Sequence, residues 1–271
     1  MAWVRDGVST RALQKISGQP GLSLFEGACV FPVRAKVIFM DSFPADGIAV
    51  VTGGSGGIGA ALAEALRERP VFADVVSLSR QSGPSLDVTS EASVAAAVKF
   101  LGAARIRLVI DATGFLHGEG FAPEKSLREI SAAHMAKSFA VNAIGPALLM
   151  KHLLPLLPRE GKAVFATLSA RVGSIGDNNI GGWYSYRAAK AALNQLVHSA
   201  AIELKRTRPE AICVALHPGT VATGLSAPFA KAGLNVRAPE EAAADLLAVI
   251  EGLAPSQSGK FFDYKGNEVP W

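Results

Sequence analysis

The chain has 271 residues and a formal net charge of +4, with 49% hydrophobic, 18% charged and 7% aromatic residues; this excludes a disordered chain and matches an alanine- and valine-rich soluble enzyme. The length fits one large α/β domain or two small ones, and no apolar run approaches the roughly 18–20 residues that a membrane span requires. Three of the four net charges lie in residues 1–39, where Arg5, Arg11, Lys15, Arg34 and Lys36 face only Asp6 and Glu26, so no basic face for nucleic acid is expected on the rest.

Residues 1–39 show neither sustained periodicity nor a secretory pattern. Two readings stand: an amphipathic targeting segment, or a stretch outside the native protein, with Met40 as the true start just upstream of the first strand. The expected organisation is an N-terminal extension over 1–39, disordered or not part of the native protein, and one catalytic domain over 40–271. From Gly47 onward strand-like and helical segments alternate, the signature of a parallel sheet covered on both faces. Strands are expected at 47–52, 74–79, 106–112, 162–168, 211–216 and 259–263, and helices near 58–69, 90–103, 126–154, 184–206 and 239–252. The fold class is therefore α/β, a single doubly wound parallel sheet of about six to seven strands. Only Arg80 to Leu86 separate the second strand from the apolar-acidic Leu86-Asp87-Val88, too few for a parallel crossover, so the third strand is expected to be vestigial. Lys99, Arg105 and Arg107 read as solvated ends. Cys29 and Cys213 make no metal or disulfide spacing, and His117, His134, His152, His198 and His217 show no ligand spacing, so no metal is expected.

Between the first strand and first helix lies Thr52-Gly53-Gly54-Ser55-Gly56-Gly57-Ile58-Gly59. Glycines there let the backbone approach a pyrophosphate, while the helix N-terminus offers free N–H groups and a partial positive charge. Two overlapping spacings fit, Gly54-x-Gly56-x-x-Gly59 and Gly53-x-x-x-Gly57-x-Gly59. Further on, Tyr186 and Lys190 stand four apart on a predicted helix and share a face, where an ammonium favours the phenolate and lowers the phenol's pKa.

Taken with Asn142 in Val141-Asn142-Ala143-Ile144-Gly145 and with Pro218-Gly219-Thr220-Val221-Ala222-Thr223, these motifs fall in the order found in the short-chain dehydrogenase/reductase superfamily, which residues 47–271 resemble. Gly173-Ser174-Ile175-Gly176-Asp177-Asn178-Asn179, followed by Gly181-Gly182-Trp183-Tyr184, is similar to its C-factor and sniffer-like members. The resemblance selects the Gly53, Gly57, Gly59 spacing. It implies a Rossmann-type sheet and hydride transfer between a nicotinamide cofactor and a carbonyl or alcohol, with Tyr186 as general acid/base. Lys190 would lower the tyrosine's pKa and hold the nicotinamide ribose, and Asn142 would order a water relay behind it.

The family's substrate serine is missing from its usual place, which Ala170 occupies, leaving Ser169 as the candidate and Ser174 as substitute. Val75-Val76-Ser77-Leu78-Ser79-Arg80 ends on serine and arginine where an NAD site would place an acid, so NADP is the expected cofactor. Asp87 and Val88 look like the adenine edge. Asp111-Ala112-Thr113-Gly114 replaces the usual Asn-Ala-Gly turn and puts the support of the central strands in doubt. The implied cofactor residues are thus Gly53, Ser55, Gly57, Ile58, Gly59, Ser79, Arg80, Asp87, Val88, Ala112, Thr113, Gly114, Asn142, Tyr186, Lys190, Pro218, Gly219, Val221 and Thr223. Leu225 to Arg237 should select the substrate, and Trp183 lines the pocket or belongs to the core. The expectation is a cytoplasmic homodimer or homotetramer acting on a small carbonyl or alcohol, with no membrane or nucleic-acid partner. The alternative is an NADP-binding, C-factor-like regulatory or signalling protein with weak or no catalysis.

Overall fold

In the computed structural model, residues 40–229 and 236–271 are described. The expected 1–39 extension, Cys29 and Leu234 of the substrate loop lie outside the described residues.

Six strands, β1 (Gly47–Thr52), β2 (Phe72–Leu78), β3 (Ile106–Asp111), β4 (Ala163–Leu168), β5 (Ala211–His217) and β6 (Phe261–Asp263), form one parallel sheet in the order β2-β1-β3-β4-β5-β6. Side chains alternate across each strand, as the pleat dictates. Val50, Val109, Phe165 and Cys213 enter one core, beneath α2 (Glu91–Phe100), α4 (Gly145–Leu153) and α5 (Tyr184–Thr207). Val51, Leu108, Ile110, Val164 and Val214 enter the other, beneath α1 (Gly57–Arg67) and α6 (Pro239–Gly252). Burial on both faces explains why the strands read as near-continuous apolar runs.

The chain runs from β1 outward to β2 and then returns to β3 on the other side of β1. That reversal opens a crevice at the carboxyl ends of β1 and β3, where ligands of such sheets bind. Among the described residues no strand pairs with the outer side of β2, which is the sheet's edge. Residues 80–89 instead fold back as a loop, with Leu86 N–H on the Ser79 carbonyl at 2.8 Å and the Ser82 hydroxyl on the same oxygen at 2.8 Å.

Three expectations need correction. The helix placed over 126–154 begins only at Ala132, because the Ser131 hydroxyl accepts the His134 N–H and caps α3 (Ala132–Phe139) there. It then passes through a π turn, Ala140–Ile144, before α4. This helical stretch, Ala132–Leu156, is also apolar and long enough by composition to pass for a membrane span, contrary to the first reading; its Leu149 and Leu153 are buried in the sheet core. Arg107 is no solvated end. It is 3% exposed, with Nε on Asp46 Oδ1 at 2.7 Å and Nη1 on the Glu160 carbonyl at 2.7 Å.

Candidate active site

At the glycine turn, Gly53 has φ +73°, and a Cβ there would lie 2.8 Å from the Ala112 carbonyl carbon. A Cβ on Gly59 would stand 2.3 Å from the Gly53 oxygen. Both neighbours are backbone, so neither position accepts a side chain. Gly56, essential only to the other spacing, is the N-cap of α1 at φ −83°, a conformation open to any residue. Gly59 belongs to both spacings; a Cβ on Gly54, of the other one, would lie 1.9 Å from the Ser77 hydroxyl, and one on Gly57 2.9 Å from Thr223 Cγ2, both of them side-chain neighbours. No side chain caps α1 and no acidic residue occupies its first turn, which leaves the helix N-terminus able to receive phosphate oxygens.

From this turn a groove of about 290 Å³ runs along the ends of β1, β2 and β3, lined by Gly53, Ser55, Ser79, Arg80, Asp87, Val88, Ala112, Thr113 and Gly114. Nine expected cofactor residues therefore share one cavity. Arg80 is exposed, and its guanidinium forms no hydrogen bond or ion pair with another described side chain. The hydroxyl and N–H of Thr89 donate to Asp87 Oδ1 at 2.7 and 2.9 Å and hold that carboxyl below its usual range, helped by the charges of Arg80 and Lys137. Val88 is fixed by Gly145, where a Cβ would lie 2.8 Å from Val88 Cγ2. Seven further residues line the groove, and two of them bring charges that were not foreseen: Lys137 of α3 and Glu119 of the loop after β3, paired at 3.0 Å. Nothing near either residue in sequence marks the pair.

Asp111 proves well supported. Its Oδ1 accepts the Thr52 hydroxyl at 2.8 Å, the Thr113 N–H at 3.1 Å and the Thr113 hydroxyl at 2.7 Å; its Oδ2 accepts the Thr167 hydroxyl at 2.8 Å. A carboxylate does here what an amide was expected to do, because three threonines on and beside β1, β3 and β4 present only donors to it. The strand ends are tied together, and the earlier doubt is answered.

Tyr186 and Lys190 lie on the buried face of α5. The Lys190 ammonium donates to the Leu168 carbonyl at the end of β4, at 2.7 Å, and stands 5.9 Å from the centre of the Tyr186 ring. Burial lowers the Lys190 pKa from 10.5 to about 8, against the pull of Asp111. Burial also pushes the Tyr186 hydroxyl above its ordinary value, the reverse of the expected lowering. The cause is geometric: the ammonium is directed at the Leu168 carbonyl, and desolvation of the phenolate dominates.

Asn142 sits in the π turn, fully buried. Its Oδ1 accepts the Phe115 N–H at 2.9 Å, while Nδ2 donates to the Phe115 carbonyl at 2.7 Å and to the Ser138 hydroxyl at 3.2 Å. It therefore braces the groove wall after β3. Ser169 donates its hydroxyl to Asn194 Oδ1 on α5 at 2.6 Å, and the Ser174 hydroxyl accepts the Asp177 N–H at 3.1 Å. Both serines are buried, and neither lines the groove.

The segment after β5 closes the other side. Gly219 has φ +80° and packs on the Tyr264 ring, and Thr223 abuts Gly57, where a Cβ would lie 2.9 Å from Thr223 Cγ2. Arg237 holds its base through main-chain bonds to Thr220 and Ala222 at 2.9 and 2.8 Å. Phe229 lies edge-on to Trp183 at 5.3 Å and to His117 at 5.3 Å, and Trp183 packs against Tyr186 at 6.3 Å. Trp183 thus belongs to an aromatic wall beside Tyr186, with Phe229 supplied by the expected substrate loop. Burial lowers His217, at the end of β5, to about 4, and among the described residues its Nδ1 is the buried side-chain atom left without a partner.

The sequence pattern of a family described as Enoyl-(Acyl carrier protein) reductase matches residues 59–246. The C-signal of Myxococcus xanthus is 42% identical over 147 residues, which cover 54% of this chain and 84% of that protein. The short-chain dehydrogenase srdF of Neurospora crassa is 32% identical over 253 residues, covering 83% of this chain and 97% of the other. Among solved structures, a short-chain dehydrogenase/reductase from Burkholderia multivorans with bound NADP is similar at a TM-score of 0.67 and 26% identity, covering 84% of this chain and all of that one.

Proposed function

The chain belongs to the short-chain dehydrogenase/reductase superfamily, and from that premise we propose that it is an NADP-dependent oxidoreductase that transfers a hydride between the nicotinamide and a small carbonyl or alcohol. The observation that carries this reading is the pairing of two features. Tyr186 and Lys190 are buried on one face of α5, and the uncapped glycine turn opens into a groove lined by Arg80, whose guanidinium has no side-chain partner among the described residues.

The chain's residues fit the dinucleotide. The first turn of α1 and Ser55 would hold the pyrophosphate, Arg80 and Ser79 the 2′-phosphate, and Asp87 and Val88 the adenine edge. Ala112, Thr113 and Gly114, which line the groove, would hold its middle, and Pro218, Gly219, Val221 and Thr223 would hold the nicotinamide side. NADPH, when bound, supplies the hydride to the carbonyl carbon. Burial keeps the Tyr186 hydroxyl protonated at neutral pH, so it is present as the proton donor to the carbonyl oxygen. Lys190, still mostly protonated at neutral pH, would hold the nicotinamide ribose and favour the phenolate left on Tyr186 until solvent reprotonates it. The same reading takes residues 40–271 as the catalytic domain of a cytoplasmic homodimer or homotetramer.

The C-signal relative and the lack of a hydroxyl at Ala170 support a second reading, an NADP-binding signalling protein with weak catalysis. One experiment separates the two: NADPH binding and NADPH oxidation against aldehydes, ketones, quinones and an enoyl thioester. Turnover of a carbonyl supports the oxidoreductase. Tight binding without turnover favours the signalling protein, turnover of the enoyl thioester alone moves the chemistry to a carbon–carbon double bond, and failure to bind NADPH overturns both.

A further inference from the structure

The catalytic helix begins in an unusual way. Gly181, Gly182 and Trp183 have φ of +69°, +66° and +53°, and Trp183, the N-cap, is a bulky residue in a conformation that such residues rarely adopt. Helix α5 has no side-chain cap of its own and no acidic residue in its first turn. A buried helix start left this way would strand its N–H groups.

The missing cap arrives from 61 positions earlier. Glu124, on the connection between β3 and α3 and 2% exposed, accepts the Ser185 N–H on Oε2 at 3.2 Å and the Ser185 hydroxyl on Oε1. Its main-chain carbonyl takes the Trp183 N–H at 2.5 Å. Helix α3 backs this contact: His134 Nδ1 stands 3.1 Å from Glu124 Oε1, and the Ser138 hydroxyl donates to the Ser185 carbonyl at 3.2 Å. His134 is itself stacked on Phe121 at 5.0 Å and nearly parallel. Through Ser138 the network continues to Asn142 and so to Phe115 in the groove wall. Every polar group of Ser185 is held, and the next residue is Tyr186. Lys190 is anchored separately, on Leu168.

We propose that Glu124 is a positioning residue of the active site: its carboxylate, aimed by His134, caps the first turn of α5 and thereby sets the Tyr186 hydroxyl relative to Lys190. The burial of Glu124, which opposes ionisation, is outweighed by the bonds from the Ser185 hydroxyl and main chain, which hold the carboxyl below its usual range. A carboxylate at a helix N-terminus is favoured by the free N–H groups and the helix dipole. A first turn released from this grip changes the reach of the phenol while Lys190 stays in place, and a displacement of about 1 Å at a reacting group costs on the order of 100-fold in rate.

The proposal rests on the oxidoreductase reading. Its test compares wild type, Glu124→Ala, Glu124→Gln and Ser185→Ala for kcat and KM on one carbonyl substrate, for NADPH dissociation constant, and for thermal midpoint. Glu124→Ala should lower kcat about tenfold or more while the NADPH constant stays within about twofold. Glu124→Gln should recover kcat to within about threefold, since the amide oxygen accepts the Ser185 N–H and the amide nitrogen can donate to the Ser185 hydroxyl. Ser185→Ala, which keeps the main-chain bond, should give an intermediate loss, and it carries the test should Glu124→Ala fail to fold. A lowered thermal midpoint with kcat unchanged in Glu124→Ala or Ser185→Ala, or equal losses in the Gln and Ala variants, overturns the proposal. A wild type that turns over no carbonyl overturns the oxidoreductase reading and this proposal with it, whereas an active wild type with indifferent variants overturns this proposal alone.

Discussion

Replacing Lys190 with methionine should stabilise the protein at neutral pH relative to its stability at high pH, even as it removes the cation that the proposed reaction uses. In the folded chain the ammonium is buried and its pKa falls from 10.5 to about 8. At about 1.4 kcal/mol per pH unit, holding the proton on this lysine costs the folded state on the order of 3 kcal/mol. Below pH 8 folded and unfolded chains are both protonated here, and the full cost applies. Between 8 and 10.5 the unfolded chain holds the proton while the folded chain does not, so wild-type stability gains with rising pH; above 10.5 the cost has gone. Lys190→Met has none of this dependence. It does leave the Leu168 carbonyl without its 2.7 Å donor, a penalty of about 1–3 kcal/mol that does not vary with pH. Tyr186 is present in both proteins, so its own titration cancels to first order. The assay is urea denaturation of both proteins at several pH values from 7 to above 10, read as the stability of the variant minus that of wild type. That difference should fall by about 3 kcal/mol across the range. A difference that stays flat with pH would refute the claim that a buried charge is being carried on α5.

Arg80→Ala removes the cation assigned to the 2′-phosphate and should raise the NADPH dissociation constant by about 10- to 100-fold, the worth of a charge-assisted bond, with little change for NADH. Equal effects on the two cofactors, measured by fluorescence titration, would remove the basis for NADP preference. Ser169→Ala should lower kcat only a few-fold while costing about 1–2 kcal/mol in denaturant unfolding, because its hydroxyl is committed to Asn194 and its loss strands a buried amide oxygen. A loss of kcat of about 100-fold or more would instead make this serine the group that orients the carbonyl.

Much of the fold could be read along the chain because the sheet is buried on both faces. The apolar runs of β1, β3, β4 and β5 announce themselves, and the absent third strand follows from the short connection after β2. The glycine turn and the Tyr186–Lys190 pair were legible for a related reason, since each is local and its spacing carries its geometry. What stayed hidden depends on register between distant segments. Asp111 looked like a flaw until Thr52 and Thr167 arrived beside it from neighbouring strands. The pKa of Tyr186 could not be read from its distance to Lys190 in sequence, because it is set by how deeply α5 is buried and by where the ammonium points. Ser131 is a cap legible in the sequence, and it starts α3 at Ala132, six residues after the expected start at 126. The Glu124 contact with Ser185 leaves no trace along the chain, as neither residue's neighbours reveal the other.

The account stands or falls on Tyr186 as the proton donor. The direct test is NADPH oxidation at saturating carbonyl by wild type and Tyr186→Phe, with NADPH binding measured on both. The account predicts wild-type turnover, a loss of about 100-fold or more in the variant, and unchanged binding. A Tyr186→Phe protein that keeps its turnover would contradict it.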